Sequence, residues 1–156
     1  MTDEPEKFNG VDKASPRWVA LAYTHLHVLM HRLTGGCNTL GKLGEVCFVT
    51  LAGAKSGRKR VIPLMYVPHG QDLLLVASLG GAPKNPLWYY NLVKHPDVVV
   101  EHRGKRGRYR AWLAESTEKA ALWPICDRHY GPYADYRTRT TRDIPIFVCE
   151  QHLDKR

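Results

Sequence analysis

Val46-Cys47-Phe48-Val49-Thr50-Leu51-Ala52, Gly53-Ala54-Lys55-Ser56-Gly57-Arg58-Lys59-Arg60 and Val61-Ile62-Pro63-Leu64-Met65-Tyr66-Val67 form the stretch from which the fold can be read. Two apolar runs of strand length flank eight residues that hold two glycines, a serine and four cations. The flanks predict strands over 46–52 and 59–67. Pro63 inside the second run predicts a sheet edge or a bulge, because proline cannot donate to a ladder. The loop between them suits an anion. Glycine lets backbone approach a ligand, turn amides can form an anion-binding concavity, and lysine and arginine hold phosphate or carboxylate. Taken alone, the same residues also fit a solvated hairpin tip.

Working outward, Pro68-His69-Gly70 reads as a turn, 73–77 as a buried strand and Ser78-Leu79-Gly80-Gly81 as a loop. Pro86 opens a short helix over 87–94, which His95-Pro96 ends. Residues 98–101 and 108–114 form a hairpin around Gly104 and Gly107, with Arg103, Lys105, Arg106, Arg108 and Arg110 at its tip. Ser116 caps a helix to about Trp123, where Pro124 breaks or kinks it. Gly131-Pro132 begins a helical stretch to about Arg139, 144–149 is the last strand, and 150–156 is a polar tail that frays. On the other side, 1–14 reads as a flexible leader and 15–33 as an amphipathic helix capped by Ser15-Pro16. Its stripe is Trp18, Ala22, Leu26, Leu29 and Leu33, suited to core packing or to membrane-surface contact. Six mostly hairpin-linked strands with inserted helices predict one α+β domain over 15–156, a small, mainly antiparallel barrel with peripheral helices.

Composition narrows the function. With 44% hydrophobic and 24% charged residues in 156, the chain reads as an ordinary globular domain with a sizeable core. No apolar run approaches the roughly 20 residues of a membrane-spanning helix, and the acidic, polar start is no secretory signal. A cytoplasmic protein is expected, with Cys37, Cys47, Cys126 and Cys149 as reduced thiols. Their wide spacing gives no zinc or dithiol motif, and Val28 stands between His27 and His31 where a zinc protease needs glutamate, so no metal is expected. The net charge of +8 favours an anionic partner: a phosphorylated cofactor, nucleic acid or an anionic membrane. Nucleotide-binding glycine fingerprints are absent. The loop at 53–60, the loop at 78–81 and the helix start at Pro86 can instead converge on a cofactor with an anionic tail and a planar ring.

In order along the chain stand Gly-x-Lys-Ser-Gly-x-x-Arg-x-x-Pro-Leu (53–64), Ala-Ser-x-Gly-Gly (77–81), Asn-Pro-x-Trp-Tyr-x-Asn-Leu (85–92) and His-Pro-Asp-Val (95–98). With Tyr130, Tyr133, Tyr136 and Asp143-Ile144-Pro145-Ile146, this series resembles the deazaflavin-dependent nitroreductase family. These are actinobacterial, above all mycobacterial, split-barrel oxidoreductases of FMN-binding-like fold that use reduced coenzyme F-420. The resemblance covers residues 36–150 and implies roles. Lys55 and Arg60 would hold the phosphate and polyglutamate tail, with Ser56, Gly57 and Arg58 in the same loop. Pro63, Leu64, Ala77 and Ser78 would line the deazaflavin ring, and Leu79, Gly80, Pro86, Leu87, Trp88 and Asn91 would close the groove. Ala54, Met65 and Leu79 depart from the pattern, Met65 standing where nitroimidazole-reducing members have a substrate-facing tyrosine.

The implied reaction is hydride transfer from the C5 carbon of the reduced deazaflavin to a quinone, nitro compound or activated enone. The three tyrosines would wall the acceptor pocket, one donating a proton or orienting the acceptor, and Ser78 would bond ring or acceptor. Their three-residue spacing suggests one helix face. The alternatives are a split barrel loaded with FMN, FAD or haem, and a basic nucleic-acid or membrane-surface module without catalysis.

Overall fold

The computed structural model describes residues 44–152. The expected leader, the helix at 15–33, the His27/His31 pair and Cys37 lie outside the described residues. The strands are β1 Val46–Ala52, β2 Lys59–Met65, β3 Val67–His69, β4 Asp72–Val76, β5 Asp97–His102, β6 Lys105–Leu113 and β7 Ile146–Gln151. The helices are α1 Leu87–Lys94, α2 Ser116–His129 and α3 Pro132–Thr138, and a 3-10 turn, Leu79–Gly81, follows β4.

Every strand pairing is antiparallel, in the order β2-β1-β5-β6-β7-β4-β3. β2 and β3 are therefore opposite edges, yet only Tyr66 separates them in sequence. The sheet must curl until its edges meet at that residue. Tyr66 is pinned there by donating its backbone N–H to the Glu45 carbonyl at 2.7 Å and by stacking on His102 with ring centroids 3.6 Å apart.

Side-chain alternation divides the core in two. Cys47, Val49, Leu51, Leu73, Leu75, Phe147 and Cys149 fill the concave interior, which Leu92 of α1 plugs. Leu74, Val76, Ile146 and Val148 point to the other face, beneath Leu122 and Cys126 of α2 and Tyr133 of α3.

Pro63 sits on edge strand β2, as expected. Other expectations need correction. There are seven described strands rather than six, because Pro68 and His69 belong to β3 and pair with Leu73 and Asp72. Proline is tolerated because β3 is also an edge, and the turn shifts to Gly70-Gln71, with φ 65° at Gly70. Arg106, Arg108 and Arg110 lie within β6, and the hairpin tip is Arg103-Gly104, both left-handed at φ 49° and 75°. α2 runs through Pro124 to His129, and its N-cap is Glu115, in a capping box with Glu118, rather than Ser116. Buried Leu122 and Cys126 on either side of the proline hold that helix to the sheet. β7 ends at Gln151, its last residues paired with β6.

Candidate active site

A cavity of about 390 Å³ opens where β2, the end of β4, the start of α1 and the α2–α3 corner meet. Pro63, Leu64, Ser78, Leu79, Gly80, Pro86, Trp88, Tyr130, Tyr133 and Tyr136 line it, all expected site residues. Val46, Met65 and Val76 complete an apolar wall. Ala77 does not reach the wall: it is fully buried, its N–H given to the Pro145 carbonyl at 2.9 Å. Alternation on β4 turns Val76 outward instead.

The tyrosines do not share one helix face. Tyr130 is the C-cap of α2, whereas Tyr133 and Tyr136 lie on α3. The corner between the helices brings them together, with a Tyr130–Tyr136 hydroxyl contact of 3.1 Å and Tyr130–Tyr133 ring centroids 4.9 Å apart. Burial pushes the Tyr133 phenol well above its ordinary pKa. A close approach sets the position of α3: a Cβ on Gly81 would stand 2.6 Å from the Tyr136 carbonyl oxygen, and its φ is 79°.

Beside this cavity lies a second groove, lined by Gly53, Ala54, Lys55, Ser56, Arg60, Leu87, Tyr90 and Asn91. Pro86 and Trp88 face the cavity while Leu87 faces the groove, so the first turn of α1 is their common wall. The loop folds on itself: Gly53 N–H donates to the Arg58 carbonyl at 2.9 Å, Gly57 N–H to the Gly53 carbonyl at 2.8 Å, and Arg58 N–H to Ser56 Oγ at 3.3 Å. Gly57, at φ 63°, and Arg58 thus build the turn rather than line the groove. Asn91 Oδ1 accepts the Ala54 N–H at 2.8 Å and fastens the loop to α1. Lys55, Arg58 and Arg60 are exposed and make no ion pair within the described residues.

Sequence reasoning missed Arg142. Its guanidinium donates Nε to the Ala82 carbonyl at 2.7 Å, Nη1 to Asn85 Oδ1 at 2.7 Å, and Nη2 to the Ala77 and Ser78 carbonyls at 3.0 and 2.7 Å. Desolvation lowers its pKa from the ordinary arginine value. Four bonds to the strand end and the α1 entry make it the clasp of the cavity floor. Its neighbours Asp143-Ile144-Pro145 were the only signal, read as motif without a function.

The basic β5–β6 hairpin is partly neutralised: Arg103 and His102 pair with Glu45, and Arg110 with Asp97 at 3.2 Å. Among the described residues no three potential metal ligands cluster.

The cavity fits a planar ring. Its walls are mostly apolar, its volume lies within the roughly 300–1,000 Å³ of small-molecule sites, and cations wait beside it for an anionic tail. The family model for F420H(2)-dependent quinone reductase matches residues 23–151. The chain belongs to that family. Membership makes it an oxidoreductase whose cofactor is coenzyme F420. A Mycobacterium tuberculosis protein named F420H(2)-dependent quinone reductase is 32% identical over 137 residues, covering 85% of this chain and 92% of that one. A solved F420-H2 dependent reductase, FDR-A, superposes with a TM-score of 0.65 at 39% identity, covering 74% of this chain and 100% of its own. A structure described as a domain-swapped dimer gives 0.66 at 36% identity, over 86% and 98% of the two chains. Both share the split-barrel architecture of F420H(2)-dependent reductases.

Proposed function

We propose that this member of the quinone reductase family holds the deazaflavin ring of F420 in the apolar cavity and its phosphorylated, carboxylated tail in the adjoining groove. One observation carries this reading: a single helix turn, Pro86–Trp88, separates an aromatic-walled cavity from a groove lined by Lys55 and Arg60, which make no ion pair among the described residues. Lys55 and Arg60 bind the tail electrostatically, and Ser56, Gly57 and Arg58 shape the turn that presents them. Pro63, Leu64, Leu79, Gly80, Pro86 and Trp88 bracket the ring and exclude water, while Leu87 and Asn91 border the tail. Ala77 supports the ring site from behind.

When bound, the cofactor supplies hydride. The protein's part is to fix ring and acceptor at reacting distance in a dry slot. Tyr130 and Tyr136, whose hydroxyls touch, are placed to pass a proton to the reduced acceptor. Tyr133 stays protonated because ionisation in its buried position is unfavourable. The acceptor is a quinone. Nitro compounds and activated enones, which take up hydride in the same way, are secondary acceptors, and Met65 in place of a tyrosine disfavours nitroimidazoles. We further place the protein in the cytoplasm, with residues 15–33 contacting the membrane that holds lipid-soluble quinones.

Fluorescence titration with F420 and oxidation of F420H2 against a panel of quinones and nitro compounds test the assignment. Binding together with quinone turnover is the expected result. Absence of F420 affinity sinks it, and equal affinity for FMN removes the cofactor preference. Loss of membrane association on deleting residues 1–33 is expected in cell fractionation.

A further inference from the structure

We propose that the outer face of strands β2, β1, β5 and β6 carries a second binding site, for a phosphate chain such as that of a nucleoside triphosphate or of inorganic triphosphate. It lies across the β1–β2 hairpin from the groove at Lys55 and Arg60, and it does not rest on the cofactor reading.

A groove of about 570 Å³ crosses this face. Alternation along the strands sets its contents. With Cys47, Val49 and Leu51 packed into the interior, Thr50 and Ala52 face outward. In the ladder Thr50 stands beside Val99 and Val99 beside Arg108, while Ala52 stands beside Lys59. Arg106 and Arg108 are two residues apart on β6 and leave the sheet on the same side. Lys59 and Arg60 are consecutive and turn to opposite faces: Lys59 lines this groove, Arg60 the other. The two sites therefore share a wall but no side chain.

The hairpin that is partly neutralised at its tip is not neutralised here. Lys59 rises from one rim of the groove, and Arg106 and Arg108 rise from the other. All three are exposed and make no ion pair among the described residues. Asp97, the carboxylate on the described wall, is already held by Arg110 at 3.2 Å. Glu101 opposes Arg106 in the ladder but does not line the groove. At one end His152 donates its N–H to the Arg108 carbonyl at 2.9 Å and fixes the strand that carries the arginines.

Like charges gathered around a concavity focus its field and concentrate anions there. Spacing selects the anion. Two strand residues separate Arg106 from Arg108 by about 7 Å, and three strand spacings separate Arg108 from Lys59 by about 14 Å. A lone phosphate or carboxylate meets one rim at a time. A chain of phosphates carries its charges in series, so one end lies in the guanidinium forks while the other reaches the ammonium. Between the rims the floor is uncharged. It offers the Thr50 hydroxyl, which makes no hydrogen bond among the described residues, as a donor to a bridging oxygen. Ala52 and Val99 supply the apolar remainder, on which a nucleoside would lie. Cations on facing rims suit a compact chain that enters the groove, not the flat surface of a membrane.

The probes are inorganic triphosphate and ATP, each without divalent metal, titrated calorimetrically into the full-length protein at roughly 0.15 M ionic strength. Saturable one-to-one binding is expected, with inorganic phosphate at least about 10-fold weaker than triphosphate. Binding should persist with F420 at saturation and in the Lys55→Ala/Arg60→Ala protein. Lys59→Ala/Arg106→Ala/Arg108→Ala should weaken it about 10-fold or more, and Arg108→Gln alone about 3-fold, with F420 affinity by fluorescence within about 2-fold of the parent. Equal affinity for triphosphate and ATP assigns the phosphate chain alone, and tighter ATP adds the nucleoside on the floor. Absence of saturable triphosphate binding, its displacement by F420, its loss in Lys55→Ala/Arg60→Ala or its survival in the triple variant overturns the proposal. So does retention on phosphatidylglycerol vesicles or a DNA oligonucleotide without triphosphate binding, which would make the face a membrane or nucleic-acid contact. Because F420 affinity is read separately, failure here is distinguishable from failure of the cofactor assignment.

Discussion

Gly81 is the residue at which fold and site are hardest to separate. It lets the turn after β4 touch the end of α3, and a methyl group there would overlap the Tyr136 carbonyl and adopt an unfavourable φ. Gly81→Ala should cost about 2 kcal/mol or more in urea unfolding and lower kcat/KM through displacement of Tyr136. Buried thiols lead to a different expectation. Burial pushes Cys47 and Cys126 from the ordinary 9.0 to about 12, and raises Cys149 as well. All three should resist alkylation in the native protein and react in urea, as peptide mass mapping would reveal. Since the folded values lie above the unfolded one, their contribution to stability is whole below pH 9 and is lost as pH rises toward 12. Unfolding free energy should therefore fall when measured from about pH 7 to about pH 10.

Among elements, the 53–60 loop and α1 work as a pair. Replacing both Lys55 and Arg60 by alanine should weaken F420 binding about 10- to 100-fold, with kcat at saturating cofactor nearly unchanged. Asn91→Ala removes only the bond that fastens the loop, and should weaken it about 3- to 10-fold. Both are read by fluorescence titration. These elements were legible because their signals are local: glycines and cations between apolar runs, and proline before an aromatic helix. β3 was not, since Pro68 and His69 look like a turn until the edge position excuses the proline. Pro124 misled for a related reason. Its cost to α2 is offset by tertiary burial of Leu122 and Cys126, which no window of sequence displays. The tyrosine trio was legible as a set, but its corner geometry was not.

For the whole molecule, the proposed cofactor site joins parts that are far apart in the chain, so binding there and folding would be linked. F420 at about 100 times its Kd should stabilise the protein by about 2.7 kcal/mol, visible as a rise of several degrees in Tm. Arg142 escaped sequence reasoning for the same long-range reason: its acceptors lie 57 to 65 residues earlier. The strand order carries a consequence for synthesis. β7, the last described strand, is not an edge but the wedge between β6 and β4. While the chain emerges from the ribosome, β4 and β6 must wait with open edges, and the floor of the cavity waits for its clasp. Only when β7 slides between them does the polypeptide become at once a closed protein and a cofactor receptor. A ribosome-stalled chain ending before Arg142 should therefore be sensitive to protease and blind to F420.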